Sequence, residues 1–132
     1  MIVVDTHALI WWLDGNRTQL SPGALAAIQG GLETGGVAAS SISAWEIAML
    51  VLKGRLELSL DVQDWLDAAG DVEGFRFIPV DNPVAVKSIA LPGEFHADPA
   101  DRIIVALARE LSAPLVTADD KIRRYPHVRT IW

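Results

Sequence analysis

No cysteine occurs among the 132 residues, which removes disulfides, thiolate nucleophiles and thiolate metal ligands together and fits a reducing compartment. Histidine is scarce, with three residues and no HExxH-type pair, so the usual zinc-binding patterns are missing as well. Cations are outnumbered: 11 Lys and Arg face 17 Asp and Glu, for a formal net charge of −6. Phosphate binding draws on a surplus of positive charge, so a plain electrostatic nucleic-acid binder is disfavoured, and any nucleic-acid role has to overcome the deficit. No apolar run approaches membrane-spanning length. The opening "MIVV" has no basic n-region and is cut short by Asp5, unlike a signal peptide. Repeats, low-complexity tracts and linker-like stretches are absent too. The expectation is one soluble, cytoplasmic domain over residues 1–132.

What is present is a core-forming composition. Hydrophobic residues make up 51% of the chain, with five tryptophans, enough for a compact domain that folds without a partner. The segments alternate in type. "MIVVD" is a short β-branched run and predicts a buried strand, followed by a helix over "ALIWWLDG" that ends near Gly15. "SPGALAAIQGGLE" predicts a helix with Ser21 as N-cap and Pro22 at the first position. "GGVAASSIS" predicts a strand, "SAWEIAMLVLKG" a helix closed by Gly54, and "DVQDWLDAAG" another capped helix. "FRFIPV" reads as a strand. "NPVAVKSIAL" reads as a helix capped by Asn82, "DPADRIIVALAREL" as one capped by Asp98, and "APLVTADD" as a strand ending in two acids. Strands alternating with helices imply βαβ units, hence a three-layer α/β/α sandwich around a central, mainly parallel sheet.

In such sheets ligands bind beyond the carboxyl ends of the strands. Asp5 ends the first predicted strand and Asp119 the last, while Glu46 and Asp101 open helices that follow strands, so four carboxylates converge on one edge. Asp98 and Asp120 stand close behind. Four acids packed without counter-charge repel one another, and some are forced to protonate. A divalent cation resolves this, and an oxygen-only donor set favours Mg²⁺ or Mn²⁺ over Zn²⁺. Such ions activate water and stabilise the oxygens of a phosphoryl displacement, which makes phosphodiester hydrolysis the natural candidate.

Each acid also has a structural reading. Ser43-Ala44-Trp45-Glu46 has capping-box form and Asp98-Pro99-Ala100-Asp101 is its near relative, so Glu46 and Asp101 would then only satisfy helix N–H groups. Asp98 is the clearest cap, and Asp119 fits a turn start. Thr6 and Ser41 stand where a hydroxyl can orient water; His7 and His96 face the same edge without ligand spacing, and His127 is expected on the surface. Trp11 and Trp12 diverge by about 100° on a helix, so one enters the core and the other is left for an apolar patch. Trp45 is expected to pack inward.

Four phrases in order, "VVDTHALIWWL", "SSISAWEIAML", "FHADPADRIIVALAREL" and "PLVTADDKI", together resemble PIN-domain ribonucleases, specifically VapC-type toxins of toxin–antitoxin pairs. The resemblance spans almost the whole chain. It implies that Asp5, Glu46, Asp101 and Asp119 are the catalytic, metal-binding acids of a Mg²⁺- or Mn²⁺-dependent endoribonuclease acting on structured RNA such as tRNA or rRNA. It also implies inhibition by a small antitoxin, and a homodimer. Asp98 is an extra acid of the D-P-x-D-R variety, open between cap and outer ligand. Arg102, Arg123 and Arg124, with Lys121 and Arg129 nearby, are candidate phosphate contacts beside the site. Two rivals remain. A phosphoacceptor receiver domain needs paired acids after its first strand and a lysine after a late one, and neither is found. A noncatalytic binding module would use the acids as caps alone.

Overall fold

The computed structural model describes residues 1–132. β1 (Ile2–Val4) leads into α1 (Thr6–Leu13); a 3₁₀ turn at Arg17–Gln19 precedes α2 (Pro22–Glu33), β2 (Val37–Ser40), α3 (Ile42–Leu52) and α4 (Val62–Gly70). The second half runs β3 (Phe75–Ile78), α5 (Asn82–Ile89), α6 (Pro99–Glu110), β4 (Leu115–Val116), α7 (Asp120–Arg123) and β5 (Thr130–Ile131). The strands form one sheet in the order β3-β2-β1-β4-β5, and every neighbouring pair is parallel.

Alternation along the strands explains the layers. Successive strand residues face opposite sides, so Ile2 and Val4 enter one core with Val37, Ala39 and Val116, while Val3 and Leu115 enter another. α1, α2, α3 and α4 cover the first core through Leu9, Ile28, Ile47 and Trp65. α5, α6 and α7 cover the second through Val84, Ile104 and Ile122. The predicted three-layer sandwich is therefore present, with an entirely parallel sheet.

Local chemistry sets the boundaries. Ser21 caps α2 by accepting from the Ala24 N–H at 3.0 Å, ahead of Pro22. Gly15 and Gly54 stop α1 and α3 with φ of +84° and +69°, a region costly for other residues. α5 differs from expectation: Asp81, not Asn82, is its cap, accepting from Val84 N–H at 3.0 Å. α3 differs too. It starts at Ile42, where Ser40 Oγ accepts from the Ile42 N–H, so Ser43 lies inside the helix and caps nothing.

The strand order supplies the site's location. The chain walks outward from β1 to β2 and β3 on one side, then returns to β4 and β5 on the other. The carboxyl ends of β1 and β4 therefore flank the point where the winding direction reverses, the usual ligand crevice of such sheets.

Candidate active site

Asp5 leaves β1 at that crevice, 8% exposed. Its Oδ1 accepts from the Ala8 N–H at 2.9 Å and so caps α1. Its Oδ2 accepts from the Thr117 hydroxyl at 2.5 Å, across from the end of β4. Cap and site readings thus coexist, because a carboxylate has two oxygens and about four acceptor positions. Burial pushes the Asp5 carboxyl up despite the Thr117 hydroxyl and the Ala8 N–H, which favour its charge.

Glu46 arrives from the second turn of α3 rather than the first. Its Oε1 accepts from the Thr6 hydroxyl, and Thr6 Oγ1 lies 2.8 Å from Ser43 Oγ. The Ser43–Glu46 capping box does not form; Ser43 and Glu46 both turn to Thr6. Burial raises Glu46, opposed by the Thr6 hydroxyl and reinforced by the Asp98 charge.

α6 delivers the third acid. Asp98 caps it, its Oδ1 accepting from the Asp101 N–H at 2.9 Å. Asp101 keeps its own carboxyl for the crevice, where Oδ2 lies 3.0 Å from Nε2 of His96. That nitrogen is buried and has no aligned hydrogen bond elsewhere, so the contact to Asp101 is its polar environment. Burial, then repulsion from Asp98, Asp119, Glu46 and Asp5, pushes Asp101 up to about 7. Asp119 follows β4 and caps α7, accepting from the N–H groups of Lys121 at 2.8 Å and Ile122 at 3.3 Å.

All five acids line one cavity of about 400 Å³ with Thr6, His7, Trp11 and Ala118. No three of the Asp, Glu and His side chains converge into a finished metal cage. The donor chemistry nevertheless suits a hard dication: the acids offer oxygen only, and the repulsion felt at Asp101 is what such a charge relieves.

A family model described as "PIN domain" matches residues 2–128. The chain belongs to the PIN-domain family. Ribonuclease VapC22 of Mycobacterium tuberculosis is 35% identical to this PIN-domain chain over 133 residues, covering 99% of it and 98% of the relative. VapBC2 from Rickettsia felis, solved bound to a promoter DNA fragment, aligns with TM-score 0.66 and 18% identity over 98% of this chain and 97% of that one. FitAcB from Neisseria gonorrhoeae aligns with TM-score 0.62 and 24% identity over 98% and 96%. These two solved structures share the PIN fold, and the resemblance read from the four sequence phrases is borne out.

Within this PIN-domain framework some residues take roles the sequence did not suggest. Arg102 spends its donors on backbone carbonyls. Its Nε donates to Ser88 O at 2.8 Å, Nη1 to Phe95 O at 3.0 Å and His96 O at 3.2 Å, and Nη2 to Ile89 O at 3.2 Å. The guanidinium thereby clamps the segment that carries His96 back to Asp101. Arg123 and Arg124 lie exposed on and just after α7, outside the cavity wall. Thr6, whose hydroxyl stands where it can orient water and is also a candidate substrate contact from its place after Asp5, is buried and holds Glu46. Ser41 is the N-cap residue of α3 without a side-chain cap bond.

The tryptophans divide as their angular separation demands. Trp12 is buried against Phe75 at 5.6 Å between ring centroids, while Trp11 packs on His7 at 5.7 Å and Trp132 at 5.9 Å and lines the cavity. Trp45 is 59% exposed, contrary to the inward packing expected of it; the core side of α3 is taken by Ile47, two positions on and about 200° round the helix. Thr117 and Ser43 were the missed members. Thr117 had a signal, since it sits two residues before Asp119 at a strand end where a hydroxyl reaches a neighbouring carboxylate.

Proposed function

We propose that this PIN-domain protein is a VapC-type toxin: a Mg²⁺- or Mn²⁺-dependent endoribonuclease that hydrolyses phosphodiester bonds of structured RNA and is inhibited by a cognate antitoxin. The observation that carries this reading is the meeting of Asp5, Glu46, Asp101 and Asp119 from four separate segments in one cavity, in a chain 35% identical to a ribonuclease. These four residues would hold the metal, with Asp98 behind them. A bound dication supplies charge neutralisation at the phosphoryl group and acidifies water.

The protein's own residues prepare the site. Thr117 and the Ala8 N–H fix both oxygens of Asp5, Thr6 fixes Glu46, and His96 faces Asp101. Supporting contacts of this kind hold ligands in register. Because Asp101 keeps its proton to about 7 in the metal-free protein, cation binding and loss of that proton are coupled near neutral pH. Exposed apolar side chains, Trp45 and Leu52 on α3 and Val86 and Ile89 on α5, support the reading that an antitoxin or a second protomer covers part of the surface.

The deciding experiment incubates purified, antitoxin-free protein with total cellular RNA in Mg²⁺ or Mn²⁺, in EDTA, and with Asp101→Ala. Discrete products that require both the metal and Asp101 are expected. One observation favours a noncatalytic binding module instead: Asp5, Asp98 and Asp119 all cap helices. A folded protein that cleaves nothing and whose melting ignores Mg²⁺ would select that module.

A further inference from the structure

The 17 acids all lie in residues 1–120, whereas the last twelve residues carry Lys121, Arg123, Arg124 and Arg129 and no acid. The fold turns this compositional break into a stripe. β4 ends at the acid cavity, and β5 runs parallel beside it, so the connecting segment must travel back along the flank to the sheet's opposite edge. That segment starts at Asp119, a wall of the cavity. Along it Lys121, Arg123, Arg124 and Arg129 are all exposed, while Ile122 and Tyr125 anchor it inward.

At the far end lies a second cavity of about 370 Å³, walled by Arg109, Ser112, His127 and Arg129 among others. Arg109 Nη1 donates to His127 O at 2.5 Å, and Arg129 Nη2 donates to Ser112 O at 3.0 Å. Each guanidinium has five N–H donors, so these bonds hold the two arginines while leaving further donors free on residues that line the cavity. No carboxylate lines it.

We infer that this stripe is the path of the RNA strand beyond the cleft: the backbone leaves the acid cavity, crosses α7 over Lys121, Arg123 and Arg124, and sets a phosphate between Arg109 and Arg129. The inference rests on the nuclease reading and extends it from the cleavage point to the substrate's course. It also answers the charge deficit. A chain of net charge −6 gathers five of its 11 cations on one flank that begins at the cleft, where phosphates are needed, with Asp119 and Asp120 at its start and no acid in the twelve residues that follow them. An acidic protein segment would also suit the cations, but a stripe that starts at the cleavage cavity favours the polymer being cleaved.

The test uses the full chain with Lys121, Arg123 and Arg124 all changed to Gln, since these exposed side chains can be neutralised without breaking the Arg109 and Arg129 bonds. Affinity for a fluorescein-labelled single-stranded RNA is read by anisotropy in EDTA across a salt series. Each lost phosphate contact should lower the slope of log affinity against log salt by about 0.7, hence by about 2 for the triple variant, and weaken binding on the order of fivefold per contact at 0.1 M salt. In Mn²⁺ the variant should show a raised KM on long RNA with kcat little changed, and wild-type kinetics on an oligonucleotide too short to leave the cleft. A wild type that does not bind the labelled RNA at low salt, or a variant with unchanged slope, overturns the inference. So does a variant that keeps RNA affinity and instead loses an acidic protein partner. Stripe-dependent binding with no cleavage by any form counts against the nuclease reading alone.

Discussion

Asp101→Asn should make the metal-free protein more stable, and by an amount that depends on pH in a specified way. The carboxyl sits with its side chain 22% exposed, and burial with four neighbouring acids moves it from 3.8 to about 7. Between those values the folded chain holds a proton that the unfolded chain has released, so stability falls as pH rises from about 4 to about 7. The full shift corresponds to about 4 kcal/mol at 1.36 kcal/mol per unit; solvent reaching part of the carboxyl cuts this to about 2 kcal/mol. Asn carries no such penalty. In EDTA the variant should match wild type near pH 4 and exceed it by about 2 kcal/mol, or about 8 °C in melting temperature, at pH 8. Mg²⁺ should reverse the order, because a ligand at a hundred times its Kd adds about 2.7 kcal/mol to the state that binds it, and the variant binds it poorly. The assay is thermal melting of both proteins from pH 4 to 8, with and without Mg²⁺. A stability difference that does not grow between pH 4 and 8, or an equal Mg²⁺ gain in both proteins, refutes the electrostatic account of the cavity.

Two further substitutions probe the supports. Thr117→Val keeps the shape but removes the donor to Asp5 Oδ2, leaving a buried carboxylate short of a partner; a loss of about 1–3 kcal/mol is expected in urea unfolding, with RNA cleavage falling alongside it. Arg102→Lys replaces a fork that holds four carbonyls with a single ammonium, so hydrogen exchange of amides in residues 88–97 should accelerate while β1 and β4 amides stay protected, and unchanged exchange there would show that the clamp is dispensable.

The acids were legible because strand-end and helix-start positions follow from local patterns, and a parallel sheet gathers both at one edge. The ambiguity at Asp5, Asp98 and Asp119 arises because cap and site make the same local demand, an acid at a helix start; at Asp5 the structure meets both, one oxygen capping α1 and the other bonded to Thr117, 112 positions away. Glu46 shows the reverse error. Its spacing from Ser43 matched a capping box, but α3 begins one residue before Ser43, which a sequence of small and apolar residues around Ser40–Ala44 does not mark. β5 was not predicted, since two residues, Thr130 and Ile131, are too few to show a period and owe their strand state to β4 alongside. The Arg102 clamp was equally hidden: its partners are backbone carbonyls, which have no letter in a sequence.

The span between Asp5 and Thr117 has a consequence for when in folding the cavity is assembled. Asp5 follows β1 and the hydroxyl that seats it lies at the end of β4, 112 positions further on, so the two meet only after β1 and β4 have paired. A chain in which that pairing has not formed therefore lacks the assembled acid cavity, however well its separate helices are formed.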